Sequence, residues 1–274
     1  MVSLEDVRKA AQLIDGKVIR TPLVRSPTFS RLTKADVRLK LECLQMGGSF
    51  KVRGATCKVL KRREEIGPAG VIAASAGNHA QGVALAAKAA GLPATIVMPV
   101  WASMAKQEAT RSYGAEVILA GESLAESISV AQKMAEDGRC FIHPYDDPDI
   151  IAGQGTIGLE ILEDLPDPDV VIVPIGGGGL IGGIASAIKA VRPETKIVGV
   201  QAAACPSALE SLRAGERVRI EAKKSIADGI TVKQVGETDF PIIREKVDEV
   251  VLVEEEEIAS AVLALLERKK VLAE

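Results

Sequence analysis

The sequence predicts an α/β fold built on mainly parallel sheet, and three observations point to it. From residue 70 onward, short β-branched runs alternate with longer helical patterns, the rhythm of strand-helix-strand units. The runs are apolar almost throughout rather than alternating, as strands covered on both faces are. Most of the helical patterns close on glycine or proline, which stop a helix.

In chain order, "GGSFKVRGA" (47–55) opens a helix-like run at Lys51 just after a flexible turn. A cation there faces the positive end of the macrodipole, so something other than helix stability has to hold it. "GVIAAS", "ATIVMPV", "AEVILA" and "RCFIHPY" read as the first four buried strands, separated by the helices "HAQGVALAAKAAG", "SMAKQEATRSYG" and "SLAESISVAQKMAEDG". Turn-forming residues then cluster in "PYDDPDIIAGQG", the natural place for a domain boundary. Beyond it "DVVIVPI", "KIVGVQ" and "DEVVLVEE" read as strands and "LIGGIASAIKAVRP" as a helix. The run Glu254 to Glu257 precedes "IASAVLALLERKK", with acids at the start of a helix and bases at its end, so it reads as dipole pairing rather than a metal site.

Composition excludes several classes. A chain of 274 residues that is 47% hydrophobic buries a sizeable core as one large or two smaller domains. No apolar run is long enough to span a bilayer, and "MVSLEDVRKAAQLID" has acids where a secretory signal needs a basic start, so the expected location is cytoplasmic. With a net charge of −3 and interspersed signs there is no footprint for nucleic acid. Cys43, Cys57, Cys140 and Cys205 lack paired spacing and read as buried free thiols, and with only His79 and His143 beside them no transition-metal cluster is expected. Trp101 and the scattered methionines read as core or interface, and His143 and Tyr145 as a packed strand end or cleft residues.

Two strand-to-helix junctions carry the chemistry. In "VIVPIGGGGLIGGIASAIKA", four glycines let the backbone approach an anion while the next helix offers free N–H groups and a positive dipole end. The plainer reading is a tight turn. Gly177, Gly179 and Gly182 also match G-x-G-x-x-G, but the following strand ends in Gln201 rather than the acid that clamps a ribose, so a smaller phosphate than a dinucleotide is expected. In "ASAGNHAQGVA", Ser75, Gly77 and Asn78 offer amides for a carboxylate and a side-chain amide for a ring hydroxyl, or simple N-capping. A phosphate cradle, an isolated lysine and a carboxylate seat together suit pyridoxal phosphate, whose aldehyde condenses with a lysine and whose ring serves as an electron sink.

"GGSFKVRGA", "SAGNHAQGVA", "PYDDPDIIAGQGTIGLEI" and "IVPIGGGGLIGGIA" resemble the serine and threonine dehydratases of the tryptophan-synthase-like fold (fold type II), and most of all the catabolic threonine dehydratases, in the same order over nearly the whole chain. The resemblance implies two open, mainly parallel sheets flanked by helices: a large cofactor-binding domain (1–64 and 150–274, incomplete at its C-terminus) and a small one (65–149) carrying the asparagine loop. It implies that Lys51 is the Schiff-base lysine and the base on the α-proton, with Phe50 packed on the cofactor. Asn78 would bond the ring oxygen, and Ser75, Ala76, Gly77, Asn78 and His79 would frame the substrate carboxylate. Gly176, Gly177, Gly178, Gly179 and Leu180 would hold the phosphate. The implied activity is deaminating dehydration of L-threonine and L-serine by a homo-oligomer, dimer or tetramer, the hydroxyl leaving as water protonated through the cofactor phosphate.

Departures from the family sharpen these expectations. Related racemases carry a second serine where this chain has Ala76, which disfavours racemisation. Some relatives bind a cation through acids after the strand matching "KIVGVQ", where this chain has Gln201, Cys205 and Ser207, so no metal is expected there. The family continues past "ERKKVLAE" to a serine or cysteine that bonds the pyridine nitrogen, and Glu274 precedes that segment. The chain is then a shortened form, or one completed by a partner, or one with a compromised site. No effector control through an appended regulatory domain is expected. A β-replacement enzyme of the cysteine-synthase type and a cofactor-binding chain without full activity remain the alternatives.

Overall fold

The computed structural model describes residues 1–274. Before residue 70, where periodicity is weakest, come α1 (Leu4–Ile14), the short antiparallel pair β1 (Leu23–Arg25) and β2 (Arg38–Lys40), with α2 (Pro27–Thr33) between them, and α3 (Lys51–Lys61). The expected alternation follows: β3 (Val71–Ala74), α4 (Asn78–Ala89), β4 (Ala94–Met98), α5 (Met104–Ser112), β5 (Glu116–Leu119), α6 (Leu124–Ala135) and β6 (Cys140–Phe141). Next come α7 (Pro148–Asp164), β7 (Val170–Pro174), α8 (Gly179–Val191), β8 (Lys196–Ala202), α9 (Ser207–Ala214), α10 (Asp239–Lys246), β9 (Glu249–Val253) and α11 (Glu255–Lys269).

Two parallel sheets result, each covered by helices. One has the order β5-β4-β3-β6 and the other β7-β8-β9. The largest apolar core packs α3 and α4 on the first sheet through residues such as Val59, Val83, Ile96 and Ile142. A second core gathers Ile157, Ile175, Ile181, Ile188 and Ile197 around the other sheet. No helix is long and apolar enough to cross a membrane.

Four expectations need correction. The strand in "RCFIHPY" is only two residues long, because the His143 ring accepts the amides of Tyr145 (3.2 Å) and Asp146 (2.7 Å) and turns the chain away. β7 is not buried on both faces: Val170 and Ile172 are 48% and 67% exposed, so its apolar run conceals an alternation. The glycines of "IIAGQG" do not form a turn but lie inside α7. Trp101 is exposed rather than core, its Nε1 donating to the Glu122 carbonyl at 3.0 Å. The four cysteines are free thiols, Cys57 and Cys205 buried and Cys43 and Cys140 half-buried.

Glycine inside a helix costs backbone entropy, so α7 needs a compensating reason for its own. That reason is contact. A Cβ on Gly153 would stand 2.7 Å from Gly54 Cα of α3, and one on Gly155 2.9 Å from the Gly183 carbonyl of α8. α7 is thereby a buried axle on which α3 and α8, the two helices that begin at the cleft described next, are seated at close range.

Candidate active site

The cleft is lined by Phe50 and Lys51 at the start of α3, Pro144 and Tyr145 after β6, Ile150 and Gln154 of α7, and Gly176 to Leu180 between β7 and α8; Gly229, Ile230 and Val232 close another side. Pro144, Tyr145 and Gly176 to Leu180 follow the carboxyl ends of parallel strands, where open α/β sheets place their ligands.

Lys51 is the first residue of α3, and its N-cap Phe50 provides no capping bond. Gly47 and Gly48, both at positive φ, turn the chain into this helix. The Lys51 amine donates to the Pro144 carbonyl at 2.7 Å and lies 5.3 Å from the Phe50 ring centroid. Burial disfavours its charge, while Asp239 opposes the effect, and the amine is brought down to about 8. A lysine in this state holds much more neutral amine near pH 7 than a surface lysine does.

The glycine loop is shaped by what it must avoid. Side chains at Gly177 or Gly179 would invade Tyr145, and Gly178 takes φ +116. Within the chain, the N–H groups of Gly177, Gly178, Gly179 and Leu180 have no acceptor, and α8 has no side-chain cap. Unpaired amides at a helix N-terminus form a seat for an anion. α1, α2, α5, α6 and α7, in contrast, each begin with a Ser or Asp side chain accepting an amide.

The asparagine loop is not among the cleft-lining residues but stands next to Lys51. A Cβ on Gly82, one turn into α4, would lie 3.0 Å from the Lys51 carbonyl carbon. Ser75 Oγ accepts the Gly77 amide at 3.1 Å and does not cap α4, so the N–H groups of Asn78, His79 and Ala80 remain without acceptors. Asn78 Nδ2 donates to the Glu274 carboxylate. The space beside Gly77 is open, and Ala76 packs against the first core. The His79 ring is committed elsewhere: its Nε2 donates to the Ile142 carbonyl at 2.9 Å, and burial, then the Lys51 charge, push it down to about 3, so it stays neutral. Only the His79 backbone is left to meet a ligand.

Gln201, near the end of β8, caps α9: its Oε1 accepts the amides of Ala208 (3.0 Å) and Leu209 (3.1 Å). Ser207 donates to the Val232 carbonyl at 2.7 Å, tying α9 to the segment of chain that closes the cleft. The chain holds no group of three or more His, Cys, Asp and Glu side chains arranged for a metal ion.

Sequence patterns missed Pro144, Gln154, Ile230, Glu274 and Asp239. A carbonyl acceptor has no residue signature, and Ile230 and Asp239 come from segments with no motif of their own. Tyr145 could be found by its place after a parallel strand.

Compared with known proteins, residues 14–274 match the family model described as "Pyridoxal-phosphate dependent enzyme". The chain is 52% identical over its whole length to the L-threonine ammonia-lyase of Thermotoga maritima, covering 69% of that protein. Among solved structures it superposes on a threonine deaminase from T.th. with a TM-score of 0.92 at 42% identity, covering 98% of this chain and 87% of that one. Maize serine racemase gives a TM-score of 0.95 at 35% identity, with coverages of 98% and 82%.

Proposed function

Because the chain belongs to the pyridoxal-phosphate-dependent enzyme family, we infer that its cleft seats that cofactor and serves an ammonia-lyase acting on L-threonine and L-serine. The reaction is deaminating dehydration, giving 2-oxobutyrate or pyruvate and ammonia. The observation that carries the site assignment is the convergence in one cleft of a buried amine with a depressed pKa and a run of glycine amides without partners.

The residues present fit the cofactor. The loop whose glycines exclude side chains leaves room for a phosphate close to the backbone, and Lys51 is the one lysine lining the cleft. Gly176, Gly177, Gly178, Gly179 and Leu180 would hold the phosphate, Phe50 would pack against the ring, and Asn78 would meet the ring oxygen. When bound, the group supplies an aldehyde that accepts amines and a ring that takes up the electron pair released at the substrate's α-carbon.

The chain's own part is binding and proton transfer. Lys51 would carry the cofactor and, once freed by the incoming amino group, take the α-proton. Its lowered pKa enlarges the share of neutral amine available for that task, and the Pro144 carbonyl orients it. The free amides of Asn78, His79 and Ala80, with Ser75, Ala76 and Gly77 before them, would seat the substrate carboxylate. Neutral His79 holds that loop against β6's exit and adds no charge to it.

The same reading includes a large domain (1–64 and 150–274) and a small one (65–149), supported by the separate hydrogen bonding of the two sheets. It also includes a cytoplasmic location, a homo-oligomer and no nucleic-acid partner. The test is direct: the protein, incubated with pyridoxal phosphate and desalted, is expected to keep a Schiff-base absorption band and to form 2-oxobutyrate from threonine. Lys51→Ala is expected to lose both, and normal turnover by that variant would refute the assignment.

A further inference from the structure

The cleft leaves one neighbouring acid unused. Asp239, the first residue of α10, is fully buried, and neither of its carboxyl oxygens has a hydrogen-bond partner. Burying an ionised carboxylate without a partner is among the costliest arrangements a protein can hold. The side chain is wedged behind the glycine loop: a Cβ on Gly178 would lie 2.6 Å from the Asp239 Cβ, and one on Gly182 3.5 Å from its Oδ1. A Cβ on Gly236 would collide with its Oδ2. Gly178 lines the cleft and Asp239 does not, so the acid stands one residue's backbone behind the proposed phosphate seat.

The charged and titratable groups facing it come from three directions. Asp146 and Tyr145 belong to the turn before α7, Lys51 to α3 and Arg217 to the segment after α9. Asp146 remains charged, because its oxygens accept the amides of Glu237 (2.7 Å) and Thr238 (2.8 Å). Burial, reinforced by the Asp146 charge and opposed by Lys51 and Arg217, drives Asp239 well above the ordinary carboxylate range.

We propose that Asp239 is a positioning residue of the phosphate seat that works in its protonated form: the neutral carboxyl backs the Gly178 turn, and its ionisation drives the cofactor's phosphate out. This rests on the cofactor reading above. A carboxylate and a phosphate on the two faces of one loop repel strongly in a medium that screens little. Binding the phosphate therefore raises the acid's pKa further, so cofactor uptake carries a proton with it. By linkage, affinity is full below the pKa of Asp239 in the empty protein and falls as pH rises through it.

The experiment measures cofactor dissociation constants by absorbance titration from about pH 6 to about pH 9, a range wide enough for a linkage slope to show. Lys51→Ala is compared with the double variants Lys51→Ala/Asp239→Asn and Lys51→Ala/Asp239→Thr, so that covalent attachment and the titration of the lysine drop out. Titration of the cofactor phosphate is common to all three and cancels in their ratio. The expected result is a gap in favour of the uncharged variants that widens with pH, approaching about tenfold per pH unit where Asp239 is ionised only in the empty protein. Two uncharged replacements of different size guard against a folding defect in either, checked by circular dichroism. Parallel pH profiles, or weaker binding by both uncharged variants at every pH, would overturn the proposal while leaving the cofactor reading intact. Absence of saturable binding even with Lys51 in place would overturn both.

Discussion

A lysine at the first position of a helix is an electrostatic liability, and the role proposed for the Lys51 amine in the cleft accounts for its position. Burial that would elsewhere be a cost becomes useful here, since it supplies neutral amine at moderate pH. A lysine lowered from 10.5 to about 8 gains nucleophilic amine as pH rises and saturates above that value. The rate of cofactor attachment is thus expected to increase through about pH 8 and then level, as followed by growth of the absorption band. A rate still climbing steeply above about pH 10 would mean an unperturbed lysine. At this scale the lysine and the glycines were legible, because each breaks a local rule. Asp239 and the Pro144 carbonyl were not, because their roles exist only after distant segments meet.

At the scale of elements, α7 decides how the site is assembled, and its opening turns were misleading in the sequence. Its glycines look like a turn until α3 and α8 are placed against them. Gly153→Ala is expected to destabilise the fold by about 1–3 kcal/mol, the usual cost of overpacking, read as a lower denaturant midpoint. An unchanged midpoint would mean that the α3–α7 crossing has slack. The same crossing contains Arg53, fully buried, which bonds Glu42 of the segment after β2 and Glu160 of α7 at 2.8 and 2.6 Å. Arg53→Met leaves two acids facing each other with only Lys40 beside Glu160, and a loss of about 3 kcal/mol or more is expected. Recovery of that loss when Glu42→Gln and Glu160→Gln are added would identify the charges, rather than the packing, as its source. The strands after residue 70 were readable because parallel strands are apolar throughout. The three-residue strands β1 and β2 are too short to show a period.

For the whole molecule, two sheets that share no hydrogen-bonded strand contribute to one cleft: β6 delivers Pro144 and Tyr145, and β7 delivers the glycine loop. A ligand seated there touches both, so its binding energy is added to the stability of the entire fold. At a hundredfold excess over its dissociation constant, pyridoxal phosphate is expected to add about 2.7 kcal/mol, which for a chain of this size raises the melting temperature by about 5 °C or more. Calorimetry showing no shift at saturating cofactor would mean that the cleft is not filled by it. The fold class and the site motifs could be read at this scale because they recur in one order along the chain. The way the two sheets meet depends on contacts that no single stretch encodes.

α4 and α8 begin with first-turn amides that no side chain of this protein covers. Such amides trade their hydrogens for solvent deuterium quickly, even inside a well-packed structure. The ligand-free protein therefore carries, at Asn78 to Ala80 and Gly177 to Leu180, an isotopic map of its proposed ligand seats. A ligand would write itself on that map as two short stretches of silence, legible by mass spectrometry before any substrate has turned over.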